Sequence, residues 1–233
     1  MPDDDITRAK LFLIEELNLC QAIIEHGFSI VKNYEPLKHE DFIFSLILSN
    51  GIERYLKVFI HLIEFKEKGE FLSLKKMKGK FGHKIEKMAN HLISIGFSDK
   101  TLDNKPLLKA DAIFLKEDEG LQLILKALSK FATRERYTFM NGVSNPQKSF
   151  NFISELWSPY SIHVIGEDKY YNLLGSDNLD VIHDIRSTEL ISNLKQFLRG
   201  ISRIYIFSNP ASELKTIAHE SKFAKITDSK IGL

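Results

Sequence analysis

The sequence predicts an all-α protein, with a helical bundle followed by additional C-terminal helices. Apolar residues recur every three or four positions along most of the chain, which is the period of an amphipathic helix. Only 161–165 and 203–207 resemble strands, and 203–207 is better assigned to the end of a helix. With 233 residues, 43% of them hydrophobic, the chain is long enough to bury a core of its own.

The first two helices carry the strongest apolar pattern. The first begins at Asp5 or Thr7 and fades near residue 33, and the second covers about 39–68. Gly51 lies in the middle of the second helix, where glycine costs up to about 1 kcal/mol relative to alanine. We therefore expect another helix to cross closely at Gly51.

The rest of the chain carries shorter helical signals and several breaks. Residues 97–117 look irregular, because Asp103, Asn104 and Pro106 interrupt the pattern. The single candidate boundary, near 141–160, separates a bundle over 1–145 from a C-terminal helical extension over 146–233. The sequence leaves open whether this extension packs on the same core. Further helices are predicted over 82–96, 117–131, 149–157, 169–174, 187–207 and 211–222.

Composition bounds the class of protein. The net charge is +1, so no global basic field attracts nucleic acid. The single cysteine, Cys20, lies in an apolar helical pattern and is expected to be a buried core residue in a reducing compartment. The longest nearly apolar run, 42–48, is far shorter than the roughly 20 residues that span a bilayer. We expect a cytoplasmic protein with no membrane association.

Motifs that fix a cofactor or a metal are missing from the sequence. His83 and His91 are eight positions apart on one predicted helix, too far to share an ion. Gly79 and Gly82 neither follow a predicted strand nor precede a Ser or Thr, so they do not form a phosphate-binding loop. No metal site and no cofactor are predicted.

A lysine-rich connector precedes the third predicted helix. Six lysines and one glutamate occur between Lys75 and Lys87. Such a cluster can neutralise RNA phosphates. The alternative is a solvated loop followed by the start of a helix. The candidate phosphate contacts are Lys75, Lys76, Lys78 and Lys80.

Three segments of the chain form a recognisable series, and they are SLILSNGIERYLKVFIHLIEF, GHKIEKM and RERYTF. Together they resemble HEPN proteins (higher eukaryote and prokaryote nucleotide-binding domain), in the expected order across about residues 8–140. The resemblance implies a helical bundle that usually forms a homodimer. Many members of the family are RNA-cleaving toxins or defence nucleases, and others have no known activity.

The resemblance also implies site residues. Family nucleases use an arginine and, after four to six residues, a histidine for metal-independent cleavage, and Arg54 and His61 match that spacing. Tyr55 departs from the family pattern, in which a polar residue usually follows the arginine. Alternatively, Arg54 is paired on the helix surface and His61 lies near the core. The same resemblance makes His83, Arg134, Arg136 and Tyr137 candidates for nucleic-acid contact, although the last three could equally tether a loop.

Three functions are compatible with these observations. The first is an RNA-binding or regulatory interaction protein without catalysis, whose partner is RNA or another protein. The second is a metal-independent endoribonuclease of the toxin or defence type. The third is a structural subunit that docks through its C-terminal helices.

Overall fold

The computed structural model describes residues 3–33, 40–96, 106–137, 143–144, 153–208 and 215–228. Every regular element in these ranges is a helix, which confirms the all-α prediction. None of the described helices is both long enough and apolar enough to cross a membrane.

The N-terminal part contains six α-helices and one 3₁₀ turn among the described residues. They are α1 (Asp3–Lys32), α2 (Glu40–Lys68), α3 (Leu74–Lys80), α4 (Ile85–Gly96), α5 (Pro106–Glu117), α6 (Glu119–Thr133) and the turn Glu135–Tyr137. The described C-terminal elements are α7 (Ile153–Ile165), α8 (Glu167–Gly175), α9 (Leu179–Ser208), α10 (Lys215–His219) and the 3₁₀ turn Lys222–Lys225.

Helices α1 and α2 form a closely packed antiparallel pair. A Cβ atom at Gly51 would lie 2.7 Å from Ile24 Cγ1, and one at Gly27 would lie 2.6 Å from Leu48 Cδ2. The close crossing predicted at Gly51 is therefore confirmed. The missing side chains let the two backbones approach, which offsets the low helix propensity of glycine.

Two segments predicted as irregular contain helices. The lysine connector forms α3, because the Ser73 hydroxyl caps its first turn by accepting from the Lys76 amide at 3.3 Å, and Met77 is buried beneath it. Residues 106–117 form α5, because Pro106 at the first helical position is favourable there. Leu108 is buried, as are the later residues of α5 that share its helix face. Residues 97–105 lie outside the described ranges.

The C-terminal boundaries also differ from the prediction. The strand-like run 161–165 is the end of α7, because the buried Trp157 and Tyr160 continue a helical apolar face past Pro159. Helix α9 begins at Leu179 rather than near 187. Helix α10 is shorter than the predicted 211–222, and residues 211–214 lie outside the described ranges.

One hydrophobic core includes residues from both sides of position 145. Trp157 Nε1 donates to Ser45 Oγ on α2 at 2.9 Å. The buried Tyr55 hydroxyl donates to the Leu198 carbonyl at 3.1 Å and also contacts the hydroxyls of Ser202 and Ser221. These contacts join the C-terminal helices to α2, and satisfied buried polar groups of this kind favour one fixed arrangement.

Candidate nucleic-acid interface

A cleft of about 710 Å³ lies where α1, α2, α3 and the turn after α3 meet. Side chains at three- and four-residue spacing on α1 and α2 form two of its walls, since such residues share one helix face. Its lining residues are Ala9, Phe12, Leu13, Glu16, Lys57, Val58, His61, Phe71, Leu74, Met77, Lys78, Gly82 and His83. The cleft thus brings together His61, Lys78 and His83. The sequence analysis proposed them as site residues from three different features of the chain.

Arg54 is held at the edge of the cleft by a bidentate ion pair. Its Nε donates to Glu16 Oε1 and its Nη2 to Glu16 Oε2, both at 2.7 Å. The hydrogen bond to Glu16 raises the pKa of Arg54. This pairing is the one that the alternative interpretation of Arg54 describes, and it occupies two of the five guanidinium N–H groups.

His61 lies on α2 and is half-buried in the cleft wall. Burial lowers the pKa of His61, the charge of Lys57 lowers it further, and Glu64 opposes both effects. The imidazole is therefore neutral at pH 7. Its Nδ1 atom is buried and has no hydrogen-bond partner among the described residues. An unsatisfied buried polar atom costs about 1–3 kcal/mol, and a ligand in the cleft reaches Nδ1 only if the His61 side chain moves.

His83 is oriented by a buried carboxylate. Its Nδ1 lies 3.0 Å from both carboxylate oxygens of Glu53, which also accepts from Lys57. A proton on Nδ1 then leaves Nε2 as the remaining acceptor. The His83 side chain is 44% exposed and lines the cleft, so Nε2 is available as a hydrogen-bond acceptor for a bound molecule.

The predicted lysines of α3 fall into two groups. Lys75, Lys76 and Lys78 are exposed, and none has an ion-pair partner among the described residues. Lys80 instead donates to Glu64 at 3.1 Å and lies 5.0 Å from the centre of the Phe81 ring. Lys80 therefore stabilises the packing of α3, and the first three lysines remain available for an anionic partner.

Two phenylalanines give the cleft aromatic surfaces. Phe12 is 68% exposed on α1, which is unusual for so large an apolar side chain. Phe71 is half-buried, stacks on Phe65 with ring centres 4.5 Å apart, and meets the His61 ring edge-on at 6.3 Å. Phe12 and Phe71 supply flat apolar surfaces beside the cationic α3.

The predicted contacts after α6 do not belong to this cleft. Arg134 ends α6, and its backbone amide donates to the Lys130 carbonyl at 3.0 Å. The Arg136 guanidinium lies 4.9 Å from the centre of the Tyr137 ring. None of Arg134, Arg136 and Tyr137 lines the cleft, so the predicted nucleic-acid set is divided between two parts of the surface.

Within the described ranges, no group of three or more His, Cys, Asp or Glu side chains could hold a metal ion. Cys20 is buried on α1, as predicted. Burial is the main cause that raises its pKa to about 12, so Cys20 is not a nucleophile at neutral pH.

The sequence analysis missed several residues of the cleft. Glu53 and Lys57 are four residues apart on α2, so their ion pair could have been inferred from helical spacing. Phe12 falls outside the apolar stripe that predicted α1, and an aromatic residue off such a stripe is a signal for an exposed contact. Glu16 and Phe71 gave no local signal, because their roles depend on contacts with α2.

Comparisons of the chain with family models, with curated proteins and with solved structures gave no match. The HEPN resemblance, and the homodimer that it implies, therefore stay predictions from the sequence.

Proposed function

We propose that this protein binds single-stranded RNA in the cleft between α1, α2 and α3. The observation that carries the proposal is that Lys78 lines a cleft that exposes Phe12, on a helix whose Lys75, Lys76 and Lys78 have no ion-pair partner among the described residues. Lys75, Lys76 and Lys78 would neutralise phosphates, and the phenylalanines would stack on bases.

The charges around the cleft support an anionic ligand. Glu16 is neutralised by Arg54, and the Glu53 carboxylate is shared by Lys57 and His83. Among the described residues of α3, Lys75, Lys76 and Lys78 are left as the uncompensated charges. The field is local, which agrees with a net charge of only +1.

The aromatic surfaces favour a single strand over a duplex. Bases in a duplex are stacked on each other, whereas unpaired bases can stack on protein rings. Such stacking contributes about 1–3 kcal/mol per base. A chain with three phosphate contacts and one or two stacked bases would bind detectably at low salt.

The electrostatic contribution to RNA binding is tested by fluorescence anisotropy with a labelled single-stranded RNA at several salt concentrations. Simultaneous replacement of Lys75, Lys76 and Lys78 by Ala removes three phosphate contacts. The slope of log K against log salt is then expected to become shallower by about 2, since each contact on a single strand contributes about 0.7. Unchanged affinity and slope would contradict the proposal.

A matched control removes the same charge elsewhere. Lys109, Lys126 and Lys169 are exposed and have no ion-pair partner among the described residues. Their combined replacement by Ala is expected to leave RNA affinity within about twofold of wild type, because distant exposed charges are screened. Equal losses in both triple variants would mean that only net charge matters.

The contribution of base stacking to RNA binding is tested by Phe12→Ala. Loss of one stacked base is expected to weaken single-stranded RNA binding about tenfold or more. Tyr171→Ala is the control, since Tyr171 is an exposed aromatic on α8. Affinity for duplex RNA should change little in either variant.

A second candidate function, metal-independent RNA cleavage, is supported by the pairing of His83 with Glu53 beside His61. In that reaction the ribose 2′-hydroxyl attacks phosphorus, the bond to the 5′ oxygen breaks, and a cyclic phosphate forms. One group must take the 2′ proton and another must protonate the leaving oxygen. His83 Nε2, an acceptor when Glu53 holds a proton on Nδ1, would suit the first role. The neutral His61 would supply the N–H of its imidazole for the second role. Arg54, engaged with Glu16, is not required.

This candidate is tested by incubating the protein with labelled RNA in the presence of a chelator. Cleavage is expected to persist with the chelator, to yield 2′,3′-cyclic phosphate ends, and to fall about 100-fold or more in His83→Ala. Cleavage that His83→Ala and His61→Ala both leave intact would reject these roles. Binding without cleavage in wild type would leave the RNA-binding proposal in place and reject the nuclease.

A further inference from the structure

A second cavity lies on a different part of the molecule, between the start of α5, the end of α9 and the final 3₁₀ turn. Its volume is about 440 Å³. Leu108, Ile206, Phe207 and Ala224 give it apolar walls. Both its size and its apolar lining are typical of small-molecule sites, which span about 300–1,000 Å³.

The polar groups of this cavity all belong to basic residues. Arg203, Lys225 and His219 line it, and no described lining residue carries a carboxylate. Lys225 and His219 are exposed, whereas Arg203 is largely buried. The cavity therefore has an apolar interior and a positively charged margin.

Arg203 is fixed in position and keeps donors to spare. Its Nη1 donates to Asp111 Oδ2 at 3.2 Å, and its Nη2 donates to the Ile226 carbonyl at 3.4 Å. A guanidinium has five N–H groups, so three are not used in these two bonds. Asp111 also accepts from Arg199, which further binds Asp228, so the Asp111 carboxylate is shared by two cations.

Phe207 contributes exposed apolar surface to the cavity. Its side chain is 43% exposed although it lies at the end of a helix that is otherwise buried along one side. An aliphatic chain laid against Phe207 and Ile206 would remove apolar area from water. A carboxylate on the same molecule would meet Arg203 and Lys225.

We infer that this cavity binds an amphipathic carboxylate, a molecule with an aliphatic body and one anionic end group. The aliphatic body would contact Leu108, Ile206 and Phe207. The carboxylate would accept hydrogen bonds from Arg203 and Lys225. This site is separate from the RNA cleft and does not depend on the proposed function.

The inference is tested by isothermal titration calorimetry of the full chain with decanoate below its micelle concentration. Decanol and decyltrimethylammonium have the same aliphatic chain with a neutral or a cationic end. Decanoate is expected to bind saturably at one site, about tenfold more tightly than decanol, because a charge-assisted hydrogen bond is lost in the alcohol. The cation is expected to bind most weakly.

Two variants locate the site. Lys225→Glu reverses an exposed charge at the margin and should weaken decanoate about tenfold while it leaves decanol within about twofold. Ala224→Leu reduces the cavity volume and should weaken both ligands. Lys169→Glu, on the exposed side of α8, is the control and should bind decanoate as wild type does. Thermal unfolding of each variant verifies that it is folded.

Three results would overturn the inference. Equal affinity for decanoate and decanol would show that the end group is not recognised. Tight binding that persists in both Lys225→Glu and Ala224→Leu would assign decanoate to another place. The absence of saturable binding by wild type would exclude an amphipathic carboxylate as the occupant.

Discussion

Protonation of His183 is expected to destabilise the fold as the pH falls below about 6.5. His183 is buried on α9, where its Nδ1 contacts the Ser187 hydroxyl at 3.0 Å. Burial, and next the charge of Arg186, lower the pKa of His183 from 6.5 to about 3. The unfolded chain takes up the proton at a higher pH than the folded chain, so acid favours unfolding.

The magnitude follows from the two pKa values. One pKa unit corresponds to about 1.4 kcal/mol, so the full shift corresponds to about 5 kcal/mol, spread between about pH 6.5 and pH 3. Between about pH 7.5 and pH 5, the expected loss from His183 alone is about 2 kcal/mol. His61 and His91 also have lowered pKa values, mainly through burial, and they add a loss in the same direction.

The assay is urea unfolding of wild type and His183→Gln at those two pH values. The variant is expected to be less stable at pH 7.5, but to lose about 2 kcal/mol less than wild type on acidification. His26→Gln, which removes an exposed histidine of α1, is the control and should show the wild-type loss. An equal pH-dependent loss in His183→Gln and wild type would refute the reasoning.

Three further predictions concern stability, each measured by urea unfolding at pH 7.5. Gly51→Ala should destabilise the fold by about 1–3 kcal/mol, because the new Cβ would clash with Ile24. Gly79→Ala is the control: its Cβ would lie in open space on α3, so the change should be neutral or stabilising by up to about 1 kcal/mol. Asp111→Ala should cost about 3–5 kcal/mol, because it leaves Arg203 without a carboxylate partner and Arg199 with only the exposed Asp228; a loss below 1 kcal/mol, as expected for an exposed partner, would contradict this. Tyr55→Phe should cost about 1 kcal/mol, since the two serine hydroxyls that it contacts still bond to each other; a loss above about 3 kcal/mol would reject that compensation.

Much of the fold could be predicted because helical periodicity is local. The pattern around Gly51 predicted α2 and a close crossing by another helix, which the structure shows to be α1. The pattern failed where local signals conflicted. Pro106 was taken as a break although it begins α5, and the strand-like end of α7 is helical because Trp157 and Tyr160 pack on the core.

The candidate site was predictable only in part, because its contacts join distant parts of the chain. Glu53 and His83 are 30 residues apart, and Glu16 and Arg54 are 38 apart. No spacing rule predicts such pairs. The sequence did identify the lysines of α3 and both histidines of the cleft, since a charge cluster and a short motif are visible without the fold.

The salt dependence of single-stranded RNA binding tests the central claim most directly. Anisotropy titrations at several salt concentrations compare the triple Ala variant at Lys75, Lys76 and Lys78 with the control at Lys109, Lys126 and Lys169. The account predicts that the slope of log K against log salt becomes shallower by about 2 in the first variant only. Identical slopes in wild type and both variants would contradict an RNA site at α3.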